Sequence, residues 1–286
     1  MEESPHVDLV VATVGRSGEL ERLLESLVAQ SYPQLRVMLV DQNFDDRLAP
    51  VVSGFESELS IVRLESAPGL SGARNRALPL LTGDIVAFPD DDCWYPPGLI
   101  QEVVAELVAR PDWGGLSVQA RDASGERSSM VWDASPGLIG RYNVWRRAIS
   151  FSFFLRRSAV EAVGGFAEDL GLGAGTRWGS GEESDYLLRA LEAGFTIQYE
   201  PSLFVYHESP NLEGGTAERR AAYVRGLGHG EVLRRHRYPF WFAAFRVLQL
   251  AAGSVVLLAR GRLADARYYF AMARGRARGW LGSGGE

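Results

Sequence analysis

The stretch Gly69–Tyr95, GLSGARNRALPLLTGDIVAFPDDDCWY, sets a Gly/Arg-containing turn and helix directly before an apolar strand that ends in three consecutive aspartates. Ile85, Val86, Ala87 and Phe88 form an unbroken apolar run, the pattern of a strand buried on both faces of an α/β sheet. Asp90, Asp91 and Asp92 then fall where that strand leaves the sheet, the edge at which open α/β sheets bind ligands. Adjacent carboxylates repel and raise one another's pKa. A hard divalent cation bound through oxygen, sharing its other ligands with substrate phosphates, relieves that repulsion. The triplet reads as a metal and diphosphate site; an exposed acidic turn before a helix starting near Pro96 would use the same residues.

A second acidic group lies far along the chain. GSGEESDYLLRALEAGF, residues 179–195, places Glu182, Glu183 and Asp185 at the start of an amphipathic helix running to about Ala193, with Leu187, Leu188 and Leu191 on its apolar side. Acids in a first helical turn complement the macrodipole in any protein. Two separated acidic groups, each with a Gly-rich approach, suit a transfer reaction in which one holds a metal and the other acts as base.

The order VDLVVATVGR, LRVMLVDQN, GLSGARNRAL, FPDDD and GEESDYLLRALEAGF resembles the inverting family 2 glycosyltransferases of GT-A fold, over roughly Val7 to His207. The resemblance implies an α/β fold with a Rossmann-like mixed sheet flanked by helices. It divides the catalytic part into a nucleotide-sugar half (1–112) and an acceptor-side half (113–233); charge and apolar pattern set apart a basic, apolar helical extension (234–286). Thr13, Val14 and Arg16 match the family's loop at the nucleotide, Asp41 the acid at the base or ribose, and Gly72 and Arg74 the turn that approaches the nucleotide. Gln42 replaces the usual second acid. Asp90 and Asp92 match the DxD pair that holds Mg²⁺ or Mn²⁺, Asp91 faces the sugar, and His207, in LFVYHES, is a further ligand candidate. Glu183, with Glu182 before it, stands where the family more often has an aspartate as catalytic base. Trp178 and Asp185 belong to the acceptor side, Trp178 as a surface for a sugar ring. The implied reaction moves a sugar from a UDP- or dTDP-linked donor to a hydroxyl of a glycan or lipid-linked glycan, with inversion.

Composition agrees with this reading. At 286 residues and 46% hydrophobic the chain can bury a sizeable core, and its single cysteine, Cys93, excludes an internal disulfide. All 30 basic residues are arginine, which excludes a lysine Schiff base and a P-loop. MEESPHVDLV has neither a basic start nor a long apolar core, so no signal peptide is expected. Residues 1–233 carry 20 arginines against 34 acids, whereas 234–286 carry 10 against two. Within that tail an apolar stretch of about 20 residues is flanked by Arg234, Arg235, Arg237, Arg260 and Arg262, a length that could span a bilayer. Arg246 and Gln249 at mid-stretch argue against a span, since a central arginine costs about 2.5–3.5 kcal/mol on insertion scales. Trp241, Phe242 and Phe245 beside the arginines fit a helix lying in the interface of an anionic leaflet. The alternative is a helical hairpin packed on the catalytic domain or on a second subunit, which would make a homodimer. The enzyme is therefore expected in the cytoplasm, peripheral to the inner face of a bacterial membrane, with no nucleic-acid partner.

Weaker segments complete the reading. Residues 111–140, with Trp113, Trp132 and Asp133, are expected to be loop-rich and to line the acceptor side, with β-meander packing an equal account of the aromatics, and 148–175 to form a buried strand, a short helix and a glycine loop. A dinucleotide oxidoreductase is disfavoured because ATVGRSGE, not GxGxxG, follows the first strand. A processive synthase is disfavoured by the missing QxxRW motif. A metal-dependent nucleotidyltransferase and a non-catalytic nucleotide-sugar binder stay open as alternatives.

Overall fold

Continuous apolar runs become the strands of one sheet. The computed structural model describes residues 4–208 and 215–282. Residues 1–3, part of the start expected to carry no signal peptide, and 283–286, the end of the basic tail, lie outside them, as do 209–214. Val7–Thr13 (β1) and Leu35–Asp41 (β2) are buried almost throughout. Between them Gly18–Val28 (α1) buries Leu20, Leu23, Leu24 and Leu27, the i, i+3, i+4, i+7 stripe of an amphipathic helix. Each such side chain contributes about 1.5–3 kcal/mol on burial. Ala49–Phe55 (α2), Ser60–Glu65 (β3), Leu70–Ala77 (α3) and Ile85–Ala87 (β4) continue the alternation. β1 pairs in parallel with both β2 and β4, and β2 in parallel with β3.

Polar exceptions in this sheet carry their own partners. Asp8, the buried second residue of β1, accepts from Arg36 Nε and Nη2 at 2.8 and 2.7 Å and from the backbone N–H groups of Thr82 and Gly83 at 2.9 and 2.8 Å. Four donors satisfy a carboxylate that would otherwise be costly to desolvate.

Cys93–Trp94 (β5), Leu99–Ala109 (α4), Trp113–Arg121 (β6), Gly137–Leu138 (β7), Phe153–Arg156 (β8), Arg157–Val163 (α5), Glu182–Glu192 (α6) and Thr196–His207 (β9) follow. Among the described residues the strands form one mixed sheet in the order β3-β2-β1-β4-β8-β6-β9-β5, with β7 on β9. The segment 111–140, expected to be loop-rich, opens instead with β6, a nine-residue strand between β8 and β9. Gly114 and Gly115 hide it from a propensity reading. Both are demanded by close approach, since a Cβ would fall 2.7 Å from Phe195 Cδ1 at position 114 and 2.5 Å from Leu155 Cδ2 at 115. The helix expected from about Pro96 begins at Leu99, after Gly98 in the left-handed region and the short β5.

The described chain divides into two compact units, and the whole sheet belongs to the first, residues 4–68, 72–166 and 186–208. The second comprises 69–71, 167–185 and 215–282. It contains Thr216–Arg235 (α7), Phe240–Ala259 (α8) and Leu263–Trp280 (α9). Glycines at fourfold spacing let α7 and α9 meet backbone to backbone. A Cβ on Gly226 or Gly230 would fall 2.2 Å from the carbonyl oxygen of Met272 or Arg276, and one on Gly275 or Gly279 would fall 2.1 or 2.2 Å from that of Tyr223 or Leu227. No residue with a side chain fits at these four positions. α8 leaves Phe240, Trp241, Phe245, Leu248, Val255, Val256 and Leu258 exposed.

Candidate active site

The aspartate triplet stands at the end of β4, where Asp90 bridges to Ala12 of β1, so the two strands release their C-terminal loops side by side. Behind it Phe88 makes edge contacts with Phe153, Phe166 and Tyr186 at 5.9, 5.0 and 5.8 Å between ring centroids. That packed cluster fixes the strand end from which the acids project. Antiparallel pairing of β5 with β9 sets Cys93 opposite His207 and so delivers the histidine, 115 positions from Asp92 in sequence, to the triplet.

Each carboxylate has a distinct environment. Asp90 accepts from Arg74 Nη2 at 2.8 Å and from the Ser150 hydroxyl at 3.4 Å. Arg74 is fully buried, its guanidinium also 5.3 Å from the Phe166 ring, and holds Asp90 from behind. Asp91, 6% exposed, accepts from Arg16 Nη1 at 2.7 Å; burial raises its pKa above the usual carboxylate range despite the opposing Thr13 hydroxyl and Arg16 charge. Asp92 shares the same Arg16 nitrogen at 2.5 Å and meets His207 Nε2 at 3.3 Å. Burial works against its charged form, but His207 and Arg16 outweigh burial and hold its carboxyl below the usual range. Burial likewise opposes a charged His207, and the Asp92 carboxylate, helped by Asp90, outweighs it and raises the imidazole pKa.

Asp90, Asp92 and His207 each offer one donor atom, and the three atoms lie within 4.8 Å of one another. His207 is held in place by Phe151, stacked on the ring at 4.5 Å, and by the Ser129 hydroxyl 3.2 Å from Nδ1. With a cation bound, the Ser129 hydroxyl accepting the Nδ1 proton would leave the Nε2 lone pair for the ion in place of the proton now shared with Asp92, the outer-shell arrangement of ligating histidines. Two carboxylate oxygens and one imidazole nitrogen are a donor set that suits Mg²⁺ or Mn²⁺. Cys93, adjacent but buried in β5, is no part of that set: burial pushes its thiol well up.

The other expected nucleotide residues lie in the same unit. Thr13 ends β1, Val14 is exposed beyond it, and Gly15 donates its N–H to Asn43 Oδ1 at 2.7 Å. Asn43 in turn donates to Asp41 Oδ1, while Arg63 donates to Asp41 Oδ2 at 2.7 and 3.1 Å. Asp41 is thereby a buried anchor for the loops after β1 and β2. Gly72 lies in the first turn of α3, two residues before Arg74.

The acidic helix start belongs to the second unit. Glu182 is buried, and Gly171, at φ +99°, passes so close that a Cβ there would lie 3.0 Å from the Glu182 carboxyl carbon. Asp185 faces His236 Nε2 at 3.0 Å, both buried. Glu183 Oε1 lies 3.9 Å from His229 Nε2 of α7. The other ring nitrogen, Nδ1, is 3.0 Å from Arg276 Nη2. A guanidinium only donates, so Nδ1 accepts and neutral His229 carries its proton on Nε2, directed at Glu183. Burial keeps His229 neutral, its pKa pushed well down with the charges of Arg276, Arg246 and Arg225 adding. Trp178, half-buried, lies beneath Arg177 at 4.2 Å. Sequence reasoning missed His229, His236 and Arg276; the one signal was a histidine set among glycines in GLGHG.

Known proteins resemble this chain in sequence and in fold. The family model described as "Glycosyl transferase family 2" matches residues 8–163, over half of the chain. A β-monoglucosyldiacylglycerol synthase of Synechocystis is 29% identical over 57% of this chain and 37% of its own length. The succinoglycan biosynthesis protein ExoM of Rhizobium meliloti is 27% identical over 81% of this chain and 76% of its own length. The chain thus spans little more than a third of the synthase it matches. Among solved structures, a mannosyltransferase of Pyrobaculum calidifontis in complex with GDP-Man and Mn²⁺ superposes with a TM-score of 0.66 at 19% identity, covering 99% of this chain and 89% of that one. The TarS fragment of S. aureus in complex with UDP-GlcNAc gives 0.60 at 14% identity, covering 96% and 91%. At such identities these two establish the fold, the expected α/β arrangement of GT-A type with helices at the C-terminal end. The chain belongs to Glycosyl transferase family 2.

Proposed function

We propose that this glycosyltransferase moves a single sugar from a nucleoside-diphosphate sugar, UDP- or dTDP-linked, to a hydroxyl of a glycan or lipid-linked glycan, with inversion at the anomeric carbon. The observation that carries the reading is the convergence of Asp90, Asp92 and His207 at the end of β4, beside the loops after β1 and β2. These three residues would hold Mg²⁺ or Mn²⁺, which, when bound, offsets negative charge on the donor diphosphate. Relatives named for glycolipid and succinoglycan synthesis support a cell-surface product.

The chain's own residues then divide the work. The loop of Thr13, Val14 and Arg16, with Asp41 and Gly72, forms the nucleotide side, and Arg74 acts there by holding Asp90. Asp91 faces the sugar. Glu183 takes the proton from the acceptor hydroxyl as the new glycosidic bond forms and the anomeric bond to the diphosphate oxygen breaks. Attack opposite the leaving group needs one base and no covalent sugar intermediate. His229, its N–H directed at Glu183, orients the carboxylate, and Glu182 backs it from the same helical turn. Trp178 and Asp185 are assigned to the acceptor side, within the 113–233 half. The exposed apolar face of α8 supports a peripheral position on the inner face of a bacterial membrane, through 234–286. Glu183→Gln tests the role of the base: donor binding by calorimetry should survive while sugar transfer falls by at least about 100-fold, the usual yield of a general base. Transfer retained at the wild-type rate would remove Glu183 from the mechanism.

A further inference from the structure

α7 and α9 border an open surface groove of about 750 Å³ within the second unit, and its charged lining is of one sign. Arg219 and Arg220 enter it from α7 and Arg267, Arg274 and Arg278 from α9, with no acid among the lining residues. Arg220, Arg267 and Arg274 are exposed and have no hydrogen-bond or ion-pair partner among the described residues. Arg278 donates to the Tyr223 hydroxyl at 3.3 Å. The remainder is apolar or aromatic, with Tyr223 on one wall and Phe270, 54% exposed, on the other. The crowding of like charges follows from the glycine contacts, which bring the two helix backbones together and their arginines with them. Holding three unpaired cations, Arg220, Arg267 and Arg274, along one groove is unfavourable until an anion enters.

We propose that this groove binds the phosphate head group of an anionic lipid. Arginine forks match phosphate oxygens in geometry and charge, and an exposed phenylalanine beside them suits the glycerol or prenyl segment that follows such a head group. A lipid, rather than a free phosphate, is favoured by α8, which packs on α9 through the Ser254 hydroxyl to the Ala266 carbonyl at 2.7 Å and leaves seven large apolar side chains exposed in the same unit. None of the lining residues belongs to the apolar stretch that suggests membrane contact, so the groove adds head-group recognition to hydrophobic adsorption. The inference rests on the peripheral-membrane reading and deepens it.

The test is flotation of the full chain with vesicles of phosphatidylcholine alone or with phosphatidylglycerol, comparing wild type with the triple variant Arg220→Gln, Arg267→Gln, Arg274→Gln. Unchanged thermal melting will show that the variant is folded, as expected for exposed, unpaired side chains. Wild type should float with the anionic vesicles far better than with the neutral ones. At about fivefold per arginine near an anionic surface, the variant should lose about a hundredfold in partitioning. A folded variant that floats as well as wild type would overturn the groove as the site and leave the membrane reading standing. Wild type that stays at the bottom with both vesicles would overturn both. Calorimetric binding of inorganic pyrophosphate that is lost in the variant, without flotation of wild type, would overturn the lipid and assign a soluble phosphoanion.

Discussion

Replacing Arg74 with glutamine removes the fully buried cation behind Asp90, and the structure sets the size of the effect. A buried pair broken by loss of one partner costs about 3–5 kcal/mol, because the remaining charge is left without compensation. Here the remaining partner keeps some solvent, the Asp90 side chain being 27% exposed, which lowers the cost. Loss of the guanidinium beside the Phe166 ring at 5.3 Å adds back about 0.5–1 kcal/mol. The net expectation is about 3 kcal/mol, and at about 2–4 °C per kcal/mol for a chain of this size melting should fall by about 6–12 °C. Mn²⁺ should recover more of that loss in the variant than it adds to wild type, since Asp90 then lacks its buried counter-charge. Differential scanning calorimetry with and without Mn²⁺ measures both. A variant that melts within about 1 °C of wild type, with the same Mn²⁺ response, would refute the claim that Arg74 holds Asp90.

Three further outcomes follow from the geometry. Gly275→Ala places a methyl 2.1 Å from the Tyr223 carbonyl oxygen, so α7 and α9 must separate; a loss of about 1–3 kcal/mol in urea unfolding is expected, and no loss would contradict the backbone contact. His229→Leu removes both the N–H directed at Glu183 and the acceptor of Arg276; turnover should fall up to about 100-fold with donor KM little changed, as for a carboxylate moved from its working position. Asp169 is held below the usual carboxylate range chiefly by its hydrogen bond from Arg235, and Glu231 is held low by Arg234 and Arg235 against burial. Their contribution to stability is present above the ordinary values of 3.8 and 4.5 and is lost as pH falls through the lower folded-state values. Arg235→Gln should therefore flatten the acid limb of the melting temperature against pH, and an unchanged limb would show that these pairs do not govern it.

Much of the fold was legible because its signals are local. The apolar run 9–12 of β1, the leucine stripe of α1 and the apolar residues before Asp90 each fix an element without reference to the rest of the chain. β6 was not legible, since Gly114 and Gly115 answer to Phe195 and Leu155, residues distant in sequence. The aspartates and His207 were readable as candidates, but the pairing of Cys93 with His207 that unites them is a tertiary fact. Arg74 shows the same limit: its residue type announces charge near a nucleotide, while its complete burial and its bond to Asp90 emerge only from packing. The tautomer of His229 depends on Arg276, which lies 47 positions away on another helix.

Calorimetric binding of UDP, dTDP, GDP and CMP, with and without Mn²⁺, to wild type and to Asp92→Asn tests most directly whether the triplet and His207 form the donor centre. Binding of one nucleoside diphosphate that requires Mn²⁺ and disappears in the folded variant is the predicted result. Binding that is indifferent to Mn²⁺ and to Asp92, or no binding by folded wild type, would contradict it.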